Sequence, residues 1–153
     1  SGDKSLVIDA ILDALKWLDK NKNILPDAIL LLQPTTPLRK MTDILKAVNR
    51  VESEDNFSIV SVIRMREHPY ECVMTNKGGW SYLARTSSKT AGRQDYENNY
   101  FFIDGCFYLA SVKFLIENQT YLIENKTKLF LLDQYWPIDI DNHEDLKVAS
   151  VLL

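Results

Sequence analysis

The chain has 153 residues, 46% hydrophobic and 25% charged, and its 18 basic and 21 acidic side chains give a formal net charge of −3. That length suits a single domain burying about two thirds of its unfolded surface, and scattered charge without a basic patch argues against nucleic acid as a partner. No apolar run nears the roughly 20 residues needed to span a bilayer, no signal-peptide succession opens the chain, and Cys72 and Cys106 are too few for a disulfide framework. A cytoplasmic protein that binds no membrane is the expectation.

In chain order, Ser5 to Lys20 has helical spacing, with Val7, Ile8, Ile11, Leu12, Leu15 and Leu18 on one side. An α/β domain seldom opens on a bare helix, so N-terminal elements are expected to be missing. Ala28 to Gln33 is continuously apolar up to its last residue, as in a strand buried on both faces. It runs into Gln33-Pro34-Thr35-Thr36-Pro37-Leu38-Arg39, which two prolines keep out of helix. A second helix opens at Thr42 or Asp43 and buries Ile44, Leu45, Ala47, Val48 and Val51. Phe57 to Ile63 is a β-branched strand. Helix, strand, helix, strand predicts a parallel α/β sheet with right-handed crossovers and ligands beyond the strands' carboxyl ends.

Residues 64–100 depart from this rhythm and read as an arm inserted in the single domain, 1–153. Cys72 to Thr75 and Trp80 to Leu83 flank Asn76-Lys77-Gly78-Gly79, a hairpin signal, and Ser87 to Asn99 is a polar loop. Phe101 to Ala110 resumes as a strand around Asp104-Gly105, followed by a short helix at Val112 to Glu117 and a last strand at Leu129 to Leu132. Then comes Pro137-Ile138-Asp139-Ile140-Asp141, before a helix from Asn142 to Leu152. In an extended backbone Asp139 and Asp141 share a face and can lean toward one hard cation, and Mg²⁺ is commonly held by one or two carboxylates plus substrate phosphates. Taken alone, the pair favours a strand end whose Asp141 or Asn142 caps the next helix.

Three stretches, in this order and at these distances, resemble the N-acylneuraminate (sialic acid) cytidylyltransferases. Leu31 to Arg39 is similar to their Leu-Gln-Pro-Thr-Ser-Pro-Leu-Arg loop. Arg93-Gln94-Asp95 and Asp104-Gly105-Cys106-Phe107-Tyr108 resemble their Arg-Gln-Asp and Asn-Gly-Ala-Ile-Tyr, and Pro137 to Leu146 resembles their closing Ser-Ile-Asp-Ile-Asp-Thr-Glu-x-Asp-Leu. His68-Pro69-Tyr70 matches a weaker His-Pro element. The resemblance implies a Rossmann-like nucleotidyltransferase fold of the nucleotide-diphospho-sugar transferase type, mainly parallel, and a homodimer whose arm reaches the partner's site. It implies that CTP and a nine-carbon 2-keto sugar acid give the CMP-sugar and pyrophosphate with Mg²⁺.

By the same resemblance, Asp139 and Asp141 are the catalytic, metal-binding aspartates. Gln33, Arg93, Asp104, Tyr108 and Tyr121 then face the sugar, with the Arg93 fork suited to its carboxylate. Read from the residues alone, Gln33 could be a loop amide bonding its own backbone, Arg93 a solvated charge and Tyr108 simply core. The chain departs from the family in lacking its glycine- and lysine-rich nucleotide loop, so this chain is expected to be inactive by itself. It departs also at Asp104, where the family has asparagine, at Glu71, and at Tyr121-Leu122 in place of a phenylalanine pair. A non-catalytic dimerising or sugar-binding remnant of the same fold is the competing reading.

Overall fold

The computed structural model describes residues 6–65, 67–85, 100–133 and 138–152. Four helices and six strands occur among them, in the order α1 (Val7–Lys22), β1 (Ala28–Leu31), α2 (Met41–Val51), β2 (Ser58–Arg64), β3 (Val73–Asn76), β4 (Gly79–Tyr82), β5 (Phe101–Ser111), α3 (Val112–Asn118), β6 (Lys128–Leu131) and α4 (His143–Leu152). Each lies where apolar periodicity placed it, within a few residues at its ends. The helix ends have local causes. Asn23 and Gln119 take left-handed conformations beyond α1 and α3, with φ of 52° at each, a common way to stop a helix. Ser111 caps α3 by accepting from the Phe114 N–H at 3.1 Å.

The main sheet has strand order β1-β5-β2-β6. Strands β2 and β6 are parallel, whereas β5 runs antiparallel to both β1 and β2. The expectation of a mainly parallel sheet is therefore corrected to a mixed one. The physical reason lies in the connection. The chain leaves β2 at Arg64 and re-enters at Phe101, which pairs with Arg64, and the Met65 N–H donates to the Tyr100 carbonyl at 3.1 Å. A connection that starts and ends at one edge forces the next strand to run back alongside the first. Thus β5 fills the gap between β1 and β2, which themselves point the same way.

Helices cover both faces. On one side, Ile44, Ala47 and Val51 of α2 pack with Ile59, Phe107, Leu109, Phe130 and Leu132. On the other, Phe114 and Leu115 of α3 meet Ala110 and Tyr121, and Ile8, Ile11 and Leu12 of α1, together with Ile29, Leu31 and Tyr108, pack against that cluster. Burying one such large side chain contributes about 1.5–3 kcal/mol, so two layers of them account for the alignment of sheet and helices. The β3–β4 hairpin is a separate ladder, Val73 opposite Tyr82 and Asn76 opposite Gly79. Its turn is held by the Gly78 N–H donating to Asn76 Oδ1 at 2.9 Å.

Candidate active site

The carboxyl ends of β1, β2 and β6 lie at one edge of the sheet, and there β5 is irregular. Val60 pairs with Tyr108 but Val62 already pairs with Ile103, so residues 104–107 bulge out of the ladder. Gly105, with φ +73°, supplies the left-handed turn this bulge needs. A Cβ added there would collide with Oε1 of Gln33, which places the Gln33 side chain directly over Gly105. Ser61 fills the bulge from β2. Its hydroxyl accepts from the Phe107 N–H at 3.0 Å and lies 2.5 Å from Oδ1 of Asp104 as donor.

The proline-rich loop after β1 is pinned onto the same bulge. Thr36 Oγ1 donates to the Gly105 carbonyl at 3.0 Å, and Arg39 Nε to the Cys106 carbonyl at 3.2 Å. Arg39 also donates through Nη2 to the Gln33 carbonyl and to Thr36 Oγ1. The third stretch joins them through backbone: the Ile140 N–H donates to the Thr35 carbonyl at 2.8 Å. Residues 33–39, 104–108 and 138–141, far apart in the chain, therefore meet at the sheet's carboxyl edge.

Within this junction Asp104 is 4% exposed. Oδ1 takes the Ser61 hydroxyl and the Cys106 N–H, the latter at 3.3 Å, while Oδ2 has no hydrogen-bond partner among the described residues. Burial pushes its acid above the ordinary carboxylate range; the hydrogen bonds from Ser61 and Cys106 oppose this, and the negative charge of Asp139 adds to it. Half-buried Tyr108 is pushed up mainly by burial, then by the charges of Asp104 and Asp139. Asp104, Tyr108 and Asp139 are thus within electrostatic reach of one another.

Asp139 and Asp141 are exposed, and Ile138 and Ile140 are half-buried, the alternation of an extended segment, although no ladder pairs it. Asp141 also leads into α4. Its N–H and that of Asn142 donate to Oδ2 of Asp145 at 3.0 and 3.1 Å, and Asn142 Oδ1 accepts from the Asp145 N–H. This reciprocal arrangement caps the helix. Tyr121 stands apart from the junction. It is 7% exposed in the core beside α3, 5.7 Å from the Tyr108 ring between centroids, and burial pushes its phenol up to about 12. Its hydroxyl has no partner among the described residues. Arg93 and Pro137 lie outside the described residues.

Comparison with known proteins gives the junction a context. No family model matches the chain. It is 30% identical over 151 residues to the CMP-N,N'-diacetyllegionaminic acid synthase of Legionella pneumophila, covering 99% of this chain and 64% of that protein. It is 24% identical to the post-translational flagellin modification protein B of Campylobacter coli over 153 residues, again 64% of that protein. The N-acylneuraminate cytidylyltransferase of Streptococcus agalactiae is 23% identical over 145 residues, 33% of its length. These relatives support the resemblance to the N-acylneuraminate cytidylyltransferases. The chain spans 64% of the length of the first two of these relatives.

The residues read from the sequence divide in two. Gln33, Asp104, Tyr108, Asp139 and Asp141 belong to the three stretches that meet, whereas Tyr121 sits in the neighbouring core. Sequence reading missed Ser61, Thr36 and Arg39, which build the junction, the first two buried and Arg39 half-buried. A serine in a β-branched strand carried a weak signal, since Ser58 and Ser61 interrupt an otherwise apolar run. Nothing in the sequence shows that Arg39 satisfies three loop oxygens.

Proposed function

We propose that this chain carries the sugar- and metal-holding part of a nucleotidyltransferase of the nucleotide-diphospho-sugar transferase type. In this reading it activates a 2-keto sugar acid of the sialic acid type with CTP, giving the CMP-sugar and pyrophosphate. The observation that carries the reading is the meeting of the Gln33–Arg39 loop, the Asp104–Tyr108 bulge and the Asp139–Asp141 segment at the edge where α/β sheets bind ligands.

The donor set suits a hard divalent cation such as Mg²⁺. It consists of the carboxylate oxygens of Asp139 and Asp141, both exposed at the sheet's carboxyl edge. Among the described residues no group of three or more His, Cys, Asp or Glu stands ready to hold a metal by itself. Asp139 and Asp141 hold it in this reading. When bound, it supplies charge neutralisation at the α-phosphate and a more acidic attacking hydroxyl.

The chain's own residues orient the acceptor. The Gln33 amide, held over Gly105, can donate to one sugar hydroxyl and accept from another, and the Tyr108 phenol, its proton held more firmly by burial, stays a donor. Arg93 is assigned to the sugar carboxylate and Tyr121 to the acyl side of the pocket. Reaction then depends on in-line positioning and fixed charge rather than on a covalent intermediate. A cytoplasmic homodimer completes the reading, with the arm of one protomer serving the other's site.

The deciding experiment is pyrophosphate release by the full-length gene product with CTP, Mg²⁺ and a panel of 2-keto sugar acids. CMP-sugar from at least one acid is expected, and no turnover with any of them overturns the assignment. Asp139→Asn and Asp141→Asn should each lower turnover by at least about tenfold; near-normal rates would remove their metal role. This 153-residue chain alone is expected to be inactive. The exposed apolar hairpin favours a second reading, a dimerising or sugar-binding domain without catalysis. Sugar-acid binding without turnover by the full-length product would select it.

A further inference from the structure

Resting on the reading that Gln33 faces the acceptor, we infer that Arg39 is a positioning residue. Its guanidinium ties the backbone of Gln33 to the bulge of β5 and thereby sets where the Gln33 amide meets the hydroxyls of the sugar acid.

The Gln33–Arg39 loop is short of donors, because Pro34 and Pro37 carry no N–H. Arg39 makes up the shortfall from its side chain. Nε donates to the Cys106 carbonyl at 3.2 Å, and Nη2 donates to Thr36 Oγ1 at 3.0 Å and to the Gln33 carbonyl. One half-buried side chain thus joins the loop after β1 to the backbone that bulges out of β5. The Gln33 amide has no such anchor of its own. Its side chain makes no hydrogen bond among the described residues and lies over Gly105, where only the lack of a Cβ leaves it room. The place of that amide therefore follows from the backbone beneath it, and Arg39 holds that backbone.

The chemistry at Arg39 is specific to arginine. All three of its partners are neutral oxygens, and no carboxylate pairs with the guanidinium among the described residues. A planar fork presents N–H groups in fixed directions and reaches the Cys106 and Gln33 carbonyls together, whereas a lysine ammonium is a point charge on a flexible stem. The loop keeps other ties without Arg39. Thr36 Oγ1 donates to the Gly105 carbonyl at 3.0 Å, the Thr36 N–H to the Gln33 carbonyl at 3.3 Å, and the Ile140 N–H to the Thr35 carbonyl at 2.8 Å. Arg39→Lys thus loosens the aim of Gln33 and leaves the junction assembled.

The test is steady-state kinetics of the full-length gene product with CTP and whichever 2-keto sugar acid of the panel it turns over. Arg39→Lys should raise KM for the sugar acid at least about tenfold, the scale of one lost charge-assisted hydrogen bond. KM for CTP should stay within about twofold of wild type, with the wild-type circular dichroism. In a double-mutant cycle, adding Arg39→Lys to Gln33→Ala should change the sugar-acid KM by less than about twofold, because Arg39 acts through Gln33. An unchanged sugar-acid KM in Arg39→Lys, KM values for both substrates worsened alike, or additive effects in the cycle overturn the inference while the proposed function stands. A readout free of turnover is the side-chain amide resonance of Gln33, assigned by its loss in Gln33→Glu. It should shift in Arg39→Lys while the backbone amides of α1 stay in place, and an unmoved resonance also overturns the inference. If wild type makes no CMP-sugar from any acid, the proposed function falls, and a shifted Gln33 resonance still upholds the hold of Arg39 on that amide.

Discussion

The junction at the sheet's carboxyl edge and the β3–β4 hairpin solve opposite problems. At the junction, irregular backbone is buried, so its polar groups need protein partners: Ser61, Thr36 and Arg39 supply them, and Oδ2 of Asp104 is left over. In the hairpin the backbone is paired across a short ladder, but the side chains find no cover. Val73, Met74, Tyr82 and Leu83 are exposed, as is Trp80 at 62%. An exposed row of large apolar side chains points to a protein surface. At the hairpin's neck Tyr100 OH donates to Tyr70 OH at 2.8 Å, and the His68 ring lies 4.6 Å from that of Tyr100.

The comparison can be broken most severely at Ser61. Ser61→Ala leaves the buried Phe107 N–H without its acceptor and removes the hydroxyl bonded to Asp104, so urea denaturation should show a loss of roughly 2–4 kcal/mol. A loss below about 0.5 kcal/mol would mean that the bulge is held by other means. Gly105→Ala forces a Cβ into a left-handed conformation and against Gln33, and is expected to cost about 1–3 kcal/mol. It should also lower sugar-acid affinity of the full-length product through the displaced amide. A variant as stable as wild type would show that Gln33 moves aside freely.

Tyr121 sharpens the distinction between core and site. Its phenol is raised from 10.0 to about 12 by burial, so the folded state keeps its proton where the unfolded chain has lost it. Stability from this group is intact below about pH 10 and declines by roughly 1.4 kcal/mol per unit as pH rises from about 10 toward 12. Tyr121→Phe should flatten that decline in denaturation curves measured from about pH 9 to 11. At about pH 7 it should be neutral or stabilising by about 1 kcal/mol, because an unpartnered buried hydroxyl is removed. Destabilisation at neutral pH would reveal a hydroxyl that the core uses. The smallest effect belongs to the hairpin. Trp80→Ser should change monomer stability by no more than about 0.5 kcal/mol yet shift any self-association seen by sedimentation; an unchanged sedimentation profile would remove the hairpin from the interface.

Much of this was legible in the residues. Helical and strand periodicity located α1, β1, α2, β2, the hairpin and α3, because the side that must be buried is written in the spacing of Ile, Leu and Val. The two prolines after Gln33 and the alternation around Asp139 marked loops of unusual chemistry. Strand order was not legible. A helix between two strands argues for parallel neighbours, but only the return of the chain at Arg64 and Phe101 decides that β5 enters between them in reverse. Residue order put Tyr121 among the sugar-side residues, but its burial beside α3 and Tyr108 was not legible, because burial depends on what tertiary packing brings alongside.

By itself, then, the sequence determined the elements, the three stretches of unusual chemistry and the family resemblance they carry, since each depends on neighbours in the chain. Tertiary structure alone decided that those stretches meet. Thr35 accepts from Ile140, Thr36 donates to Gly105, and Ser61 locks Asp104. These are hydrogen bonds between residues tens of positions apart, and they form only once burial in the mixed sheet has removed water as the competing partner.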